Sequence, residues 1–149
     1  MKKIENQDKL KKIISTILLI SWCLLIFYFS SQIGEKSNLS SSHVIDFINK
    51  LLNVNLYNFE YSVLIVRKLA HMFLYFVLNL LSINFFKSYK LNNYYKYAFL
   101  FCLIYAISDE VHQLFVIERA FRLTDIIIDM LGACIGYILL KLINKLKIK

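Results

Sequence analysis

Four long apolar runs, at about 13–29, 63–86, 97–116 and 123–143, constrain this chain more than any other feature. Each approaches or exceeds the roughly 20 residues that an α-helix needs to cross a bilayer. In 149 residues there is room for these four and little else, which excludes a large soluble domain. A soluble domain of this size would also leave much apolar surface exposed, because 58% of the residues are hydrophobic. With no proline and three glycines, the chain holds neither a Gly-rich nucleotide loop nor a nucleophile elbow. ATP-driven chemistry is thereby set aside. The predicted fold is an all-α integral membrane protein of four transmembrane helices, one domain over residues 1–149.

The first run follows a basic stretch, as the core of a signal peptide would. It is longer than the usual signal core and lacks an A-x-A cleavage site, so it is expected to stay as a signal anchor. Between the first two runs, "SSHVIDFINKLL" puts Val44, Phe47, Ile48, Leu51 and Leu52 on one helical face. That pattern fits a short helix lying on the membrane surface in the first outer loop, and also a plain loop helix. Cys23, Cys102 and Cys134 stand singly in apolar runs without CxxC spacing, and read as packing residues.

Charge sets the expected orientation. Lys2, Lys3, Lys9, Lys11 and Lys12 precede the first run; Lys87, Lys90 and Lys96 surround the joint between the second and third; Lys141, Lys145, Lys147 and Lys149 close the chain. If four spans alternate, all of these fall on one side, and the positive-inside rule makes that side cytoplasmic, with both termini inside. Most of the acids fall on the other side, so the net charge of +8 reads as a topology signal that also suits anionic inner-leaflet lipid. It does not point to nucleic acid, since no soluble basic domain exists to present it.

The same alternation brings costly side chains to one depth. Arg67, Lys68 and His71 belong to the outer turns of the second span, Asp109, Glu110, His112 and Gln113 to the outer end of the third, and Asp125 and Asp129 to the outer start of the fourth. Asp125, Asp129, Gly132 and Gly136 step by four, three and four, one stripe that includes the close-packing GxxxG pattern and turns the aspartates toward the bundle. Arg67, His71 and Tyr75 share a face of the second span. Unpaired charges at a helix centre cost about 2.5 to 3.5 kcal/mol each. Mutual compensation is therefore expected, with Arg67, Lys68, Arg119 and Arg122 balancing Asp109, Glu110, Asp125 and Asp129.

These residues carry a resemblance. "FYFSSQIGEKS", "RKLAHMFLYFVL", "YAISDEVHQLFV" and "RAFRLTDIIIDMLGACIG", in that order over about 27–136, resemble the VanZ-like family of small multipass membrane proteins, named for an accessory protein of teicoplanin resistance. The resemblance singles out Ser30, Ser31 and Gln32; Arg67, Lys68, His71 and Tyr75; Asp109, Glu110, His112 and Gln113; and Arg119, Asp125, Asp129 and Gly132. Two departures stand out. Where the family often has Pro-Gly-Arg, this chain has Ile117, Glu118 and Arg119, and where many members carry glutamate before the tyrosine of the second span it has Leu74. The family supplies a cellular context, the cell envelope and its glycopeptide sensitivity, and no settled reaction.

Three readings follow. In the first, an outer-leaflet site binds or modifies an anionic lipid or lipid-linked cell-wall precursor. Arg67, Lys68 and Arg119 would clamp phosphate, with Gln32 and Tyr75 beside them, and His71 or His112 would pair with Asp109 or Asp129 as base and acid. Glu110, Gln113 and Asp125 complete the candidate catalytic set. In the second, the cluster only holds the helices together, since interhelical polar contacts contribute roughly 0.6 to 2 kcal/mol each. In the third, the protein is a small proton-linked transporter, although the inner halves of the spans offer only Asn79, Ser82, Asn84 and tyrosines. No cofactor is implied. A metal held by His71, His112 and aspartates lacks an HExxH-like spacing and would face four cations.

Overall fold

A computed structural model describes residues 2–146, with side chains over 5–146. Lys147, Lys149 and the side chains of Lys2 and Lys3, all counted in the charge pattern, lie outside the described residues. The elements are α1 (Lys2–Ser30), α2 (Gly34–Leu52), a 3₁₀ turn (Leu56–Asn58), α3 (Ser62–Ser88), α4 (Tyr94–Gln113) and α5 (Leu123–Leu146). The described residues contain no strand.

Joints between helices are made by residues in left-handed backbone. Asn53 (φ 51°) ends α2 and bonds back to the carbonyl of Asn49; Tyr61 (φ 67°) and Asn93 (φ 57°) precede α3 and α4. Asparagine tolerates that conformation because its short amide bonds locally. Two expected boundaries move. α1 starts far ahead of residue 13, because the Lys, Glu and Gln residues before the apolar run are themselves good helix formers. α4 ends at Gln113, not at 116, because Leu114, Phe115 and Val116 close 3₁₀-type bonds to Val111, His112 and Gln113 that tighten the last turn.

α3 is the hub, packed against α1, α2, α4 and α5. Its closest partner is α5, where the stripe of Gly132 and Gly136 lies on the α3 backbone: a β-carbon at Gly132 would run into the carbonyl of Met72, and one at Gly136 would sit 2.9 Å from that of Phe76. The bundle has two chemically distinct ends. At one, Lys90 pairs with Asp8 (2.6 Å), Ser15 bonds Ser88 (2.9 Å), and Asn144 donates to Tyr95 (2.9 Å). At the other, the turn after α4 meets the end of α1 and the start of α2.

Polarity is distributed inside out. Leu24, Phe73, Ile104, Ile127, Leu131 and Ile138 are exposed, while Asn79, Ser82, Asp109, Glu110, Gln113 and Asp129 are buried. Water would reverse this arrangement; a hydrocarbon solvent favours it. α1, α3 and α5 are each long and apolar enough to cross a membrane. α4 is more polar, and its 20 residues reach about 30 Å. α2 forms as a helix, longer than the expected stretch. It buries Ser41 and Ile45 against the bundle while Val44, Phe47, Leu51 and Leu52 stay exposed.

Candidate functional site

A cavity of about 390 Å³ opens between α1, α2 and α3. Its lining is divided by chemistry. Trp22, Leu25, Phe29, Phe73 and Leu74 form an apolar wall, and Gln32, Arg67, His71, Arg119 and the hydroxyls of Ser37, Ser40 and Ser41 form a polar one. Among the described residues no carboxylate lines it. Leu74, where many VanZ-like proteins have glutamate, belongs to the apolar wall and its carbonyl takes the indole N–H of Trp22 (2.9 Å).

Arg119 reaches this cavity from the α4–α5 joint because two side-chain contacts hold it there. Its Nε donates to the carbonyl of Gln32 (3.2 Å) and its Nη1 to Oε1 of Gln113 (3.4 Å), while Gln113 donates in turn to Asp109 (3.2 Å). The turn before it is docked on α2. Gly34 N–H bonds the carbonyl of Ile117 (3.3 Å), and the Glu118 carboxylate accepts the N–H of Glu35 (2.9 Å) at the positive end of that helix. Gly34 has to be glycine here, since a β-carbon would lie 2.7 Å from the carbonyl of Glu118. Glu118 occupies the position where the family often has glycine, and its backbone is left-handed (φ 61°). Glu118 thus adopts a backbone conformation that glycine takes at no steric cost, and its side chain adds a tie to α2.

Arg67 lies across the cavity and donates to Oδ1 of Asn38 on α2 (3.3 Å). Burial, and then the Arg67 guanidinium, pull Arg119 below arginine's ordinary pKa, so an anion between the two would relieve the strain of placing them together. His71 is one turn further along α3. It lines the cavity and turns Nδ1 toward Asp129 Oδ1 at 3.6 Å, too far for a hydrogen bond. That nitrogen and both oxygens of the fully buried Asp129 have no hydrogen-bond partner among the described residues.

The remaining expected residues scatter around this centre. Lys68 pairs with Asp125 (3.5 Å), which also accepts from Thr124 (3.3 Å). Glu110 accepts the backbone N–H of Arg122 (2.8 Å), not its guanidinium. The expected four-to-four charge balance thus contains one direct ion pair, Lys68–Asp125; Arg119 reaches Asp109 through Gln113, Arg122 meets Glu110 only through its backbone, and Arg67 bonds Asn38 instead of an acid. His112 sits apart from His71, its ring tilted against that of Phe27 (centroids 4.6 Å apart) and bonded to Ser31 (3.1 Å). Among the described residues no group of three or more His, Cys, Asp or Glu side chains converges as a metal site requires. Tyr75 lies deeper, with its hydroxyl unpartnered, on a stripe that continues from His71 through Asn79 and Ser82, whose Oδ1 and Oγ are also buried and unpartnered.

The polar wall on α2 was not expected from the sequence. The signal was present in "SNLSSS", where Ser37 and Ser41 lie four apart on the same side as the buried Ile45. The apolar residues of that helix set the stronger period, and its hydroxyl face lies between them.

Comparison with protein families matches residues 15–144 to the VanZ/LLP1 model. No curated protein and no solved structure matches the chain. The ordered motifs, the helical bundle and a match over most of the length agree: the chain belongs to the VanZ-like family of membrane proteins.

Proposed function

We propose that this protein crosses the cell membrane four times, with its basic end cytoplasmic, and that its cavity binds the phosphate-bearing headgroup of an outer-leaflet lipid or lipid-linked cell-wall precursor. The observation that carries the reading is the cavity's divided lining, with two guanidiniums and an imidazole opposite an aromatic and aliphatic wall. An anionic amphiphile satisfies both halves at once: phosphate between Arg67 and Arg119, acyl chain along Phe29, Phe73 and Leu74. In the envelope, a protein that holds such a headgroup would occupy or rearrange the precursor and so lower sensitivity to teicoplanin.

Four crossings are supported by where the helix ends meet. α3 leads away from α2, and α4 returns so that its exit turn contacts the start of α2. α4 therefore covers the same depth as α3, and the lysines beside the α3–α4 joint fall at the opposite end. His71 lines the cavity with the buried Asp129 carboxylate behind it at 3.6 Å, an imidazole–carboxylate pair that supports a working site there. In this reading Asp129 orients His71 toward the bound headgroup, and Lys68–Asp125 secures the neighbouring turn.

The test is teicoplanin sensitivity in cells expressing wild type, Arg67→Gln and Arg119→Gln at equal membrane levels. Protection by wild type and at least a fourfold loss in each variant is expected. Undiminished protection from both variants would refute the clamp.

A further inference from the structure

We infer that the lipid held in this cavity is a phosphodiester with an uncharged, hydroxyl-bearing headgroup, of the phosphatidylglycerol class. The inference rests on the proposed anion site and narrows its ligand. It begins with Ser40 and Ser41 on the α2 wall. A serine hydroxyl has one proton to give. Ser40 donates it to the carbonyl of Lys36 (3.0 Å) and Ser41 to that of Ser37 (3.1 Å), so both have only oxygen lone pairs left to offer. The amide oxygen of Asn38 nearby accepts from Arg67 and is likewise an acceptor.

The two sides of the cavity therefore ask for different things. Arg67 and Arg119 bring donors and positive charge, which require anionic oxygen. Ser40 and Ser41 bring acceptors, which require a hydrogen on the ligand, whereas the Ser37 hydroxyl donates to no described residue and can join the arginines on the phosphate. An ammonium would supply that hydrogen, but it would enter a cavity with two guanidiniums and no carboxylate, where like charges repel. A neutral hydroxyl meets both demands. The volume of about 390 Å³ is near the lower end for small-molecule sites and has room for one phosphate and a glycerol-sized headgroup. The apolar wall receives the start of an acyl chain, so the source of the phosphate is a lipid.

Trp22 lines the cavity and is the only tryptophan in the chain, which makes it a reporter. The experiment measures quenching of Trp22 in the purified full chain, in dodecyl maltoside, by lipids with brominated acyl chains. Three lipids are compared: phosphatidylglycerol; phosphatidylmethanol, which has the same single charge and no hydroxyl; and phosphatidylcholine. Soluble glycerophosphoglycerol is added as a competitor. Phosphatidylglycerol is expected to bind about fivefold more tightly than phosphatidylmethanol, the scale of one or two neutral hydrogen bonds. In Ser40→Ala/Ser41→Ala, which suits a helix at least as well, that ratio should fall to about one while phosphatidylmethanol binding is unchanged.

Equal binding of the two anionic lipids, both tighter than phosphatidylcholine, would overturn the hydroxyl inference and leave the anion site intact. A preference that survives in the double alanine variant would overturn its assignment to these serines. No advantage of either anionic lipid over phosphatidylcholine would overturn the anion site itself. Displacement by micromolar glycerophosphoglycerol would overturn the lipid as the source.

Discussion

His71 and Asp129 are the pair whose chemistry is least satisfied. Asp129 is fully buried, and its nearest counter-group is the His71 ring, 3.6 Å away without a hydrogen bond. The two substitutions should separate stability from function. His71→Ala removes the counter-group that faces the buried Asp129 carboxylate, a loss on the order of 3–5 kcal/mol by the precedent of broken buried pairs. Asp129→Asn keeps the shape and removes the charge, so its stability should stay within about 1 kcal/mol of wild type. Thermal unfolding followed by Trp22 emission should therefore drop for His71→Ala and hold for Asp129→Asn, while both lose teicoplanin protection. A collapse of Asp129→Asn comparable to that of His71→Ala would make the pair structural. The sequence revealed which residues were too costly for a membrane interior, since an ionisable side chain among Leu, Ile and Phe is conspicuous there. Helical spacing even put His71 and Tyr75 on one face. What spacing cannot fix is the rotation of one helix about its neighbour, and that rotation decides that Asp129 faces His71 while His112 turns to Ser31.

At the scale of elements, the α3–α5 contact depends on two glycines with unequal tolerance. A methyl at Gly132 would overlap the Met72 carbonyl, a backbone atom that cannot swing aside, whereas one at Gly136 has 2.9 Å to that of Phe76. Gly132→Ala should cost more than the 1–3 kcal/mol common for overpacking, and Gly136→Ala should fall within that range. The yield of monodisperse protein on size exclusion and the unfolding temperature measure both, and equal behaviour of the two variants would show that α5 can slide along α3. The GxxxG stripe was legible because it follows from one helix alone. α2 was legible only in half: its exposed Val44, Phe47 and Leu51 follow from periodicity, while its role as a cavity wall depends on the docking of Gly34 and Glu118, a contact across more than eighty positions. Long-range contacts of this kind leave no period in the sequence.

The whole molecule places a sharper demand on topology than hydropathy does. Three helices qualify for crossing by length and apolarity, and α4 carries Lys96, Asp109 and Glu110 in its 20 residues. Its polar face is turned inward: Asp109, Glu110 and Gln113 are buried, while Ile104, Ile107 and Val111 are exposed. A helix that hides its charges this way can lie in lipid although its average composition is less apolar. If α4 crosses, the 114–122 turn and the loop around Asn58 share the outer side, and the turn around Asn92 is inside. Single cysteines at these exposed positions test this with a membrane-impermeant maleimide on intact cells. The native thiols offer little background, since Cys102 is buried and Cys23 and Cys134 are half-buried within helices. Asn58→Cys and Ala120→Cys should label from outside, and Asn92→Cys only after permeabilisation. Should Ala120→Cys label with Asn92→Cys, α4 would not cross. Arg119 would then be on the wrong side of the membrane from Arg67, and the two could not share a phosphate.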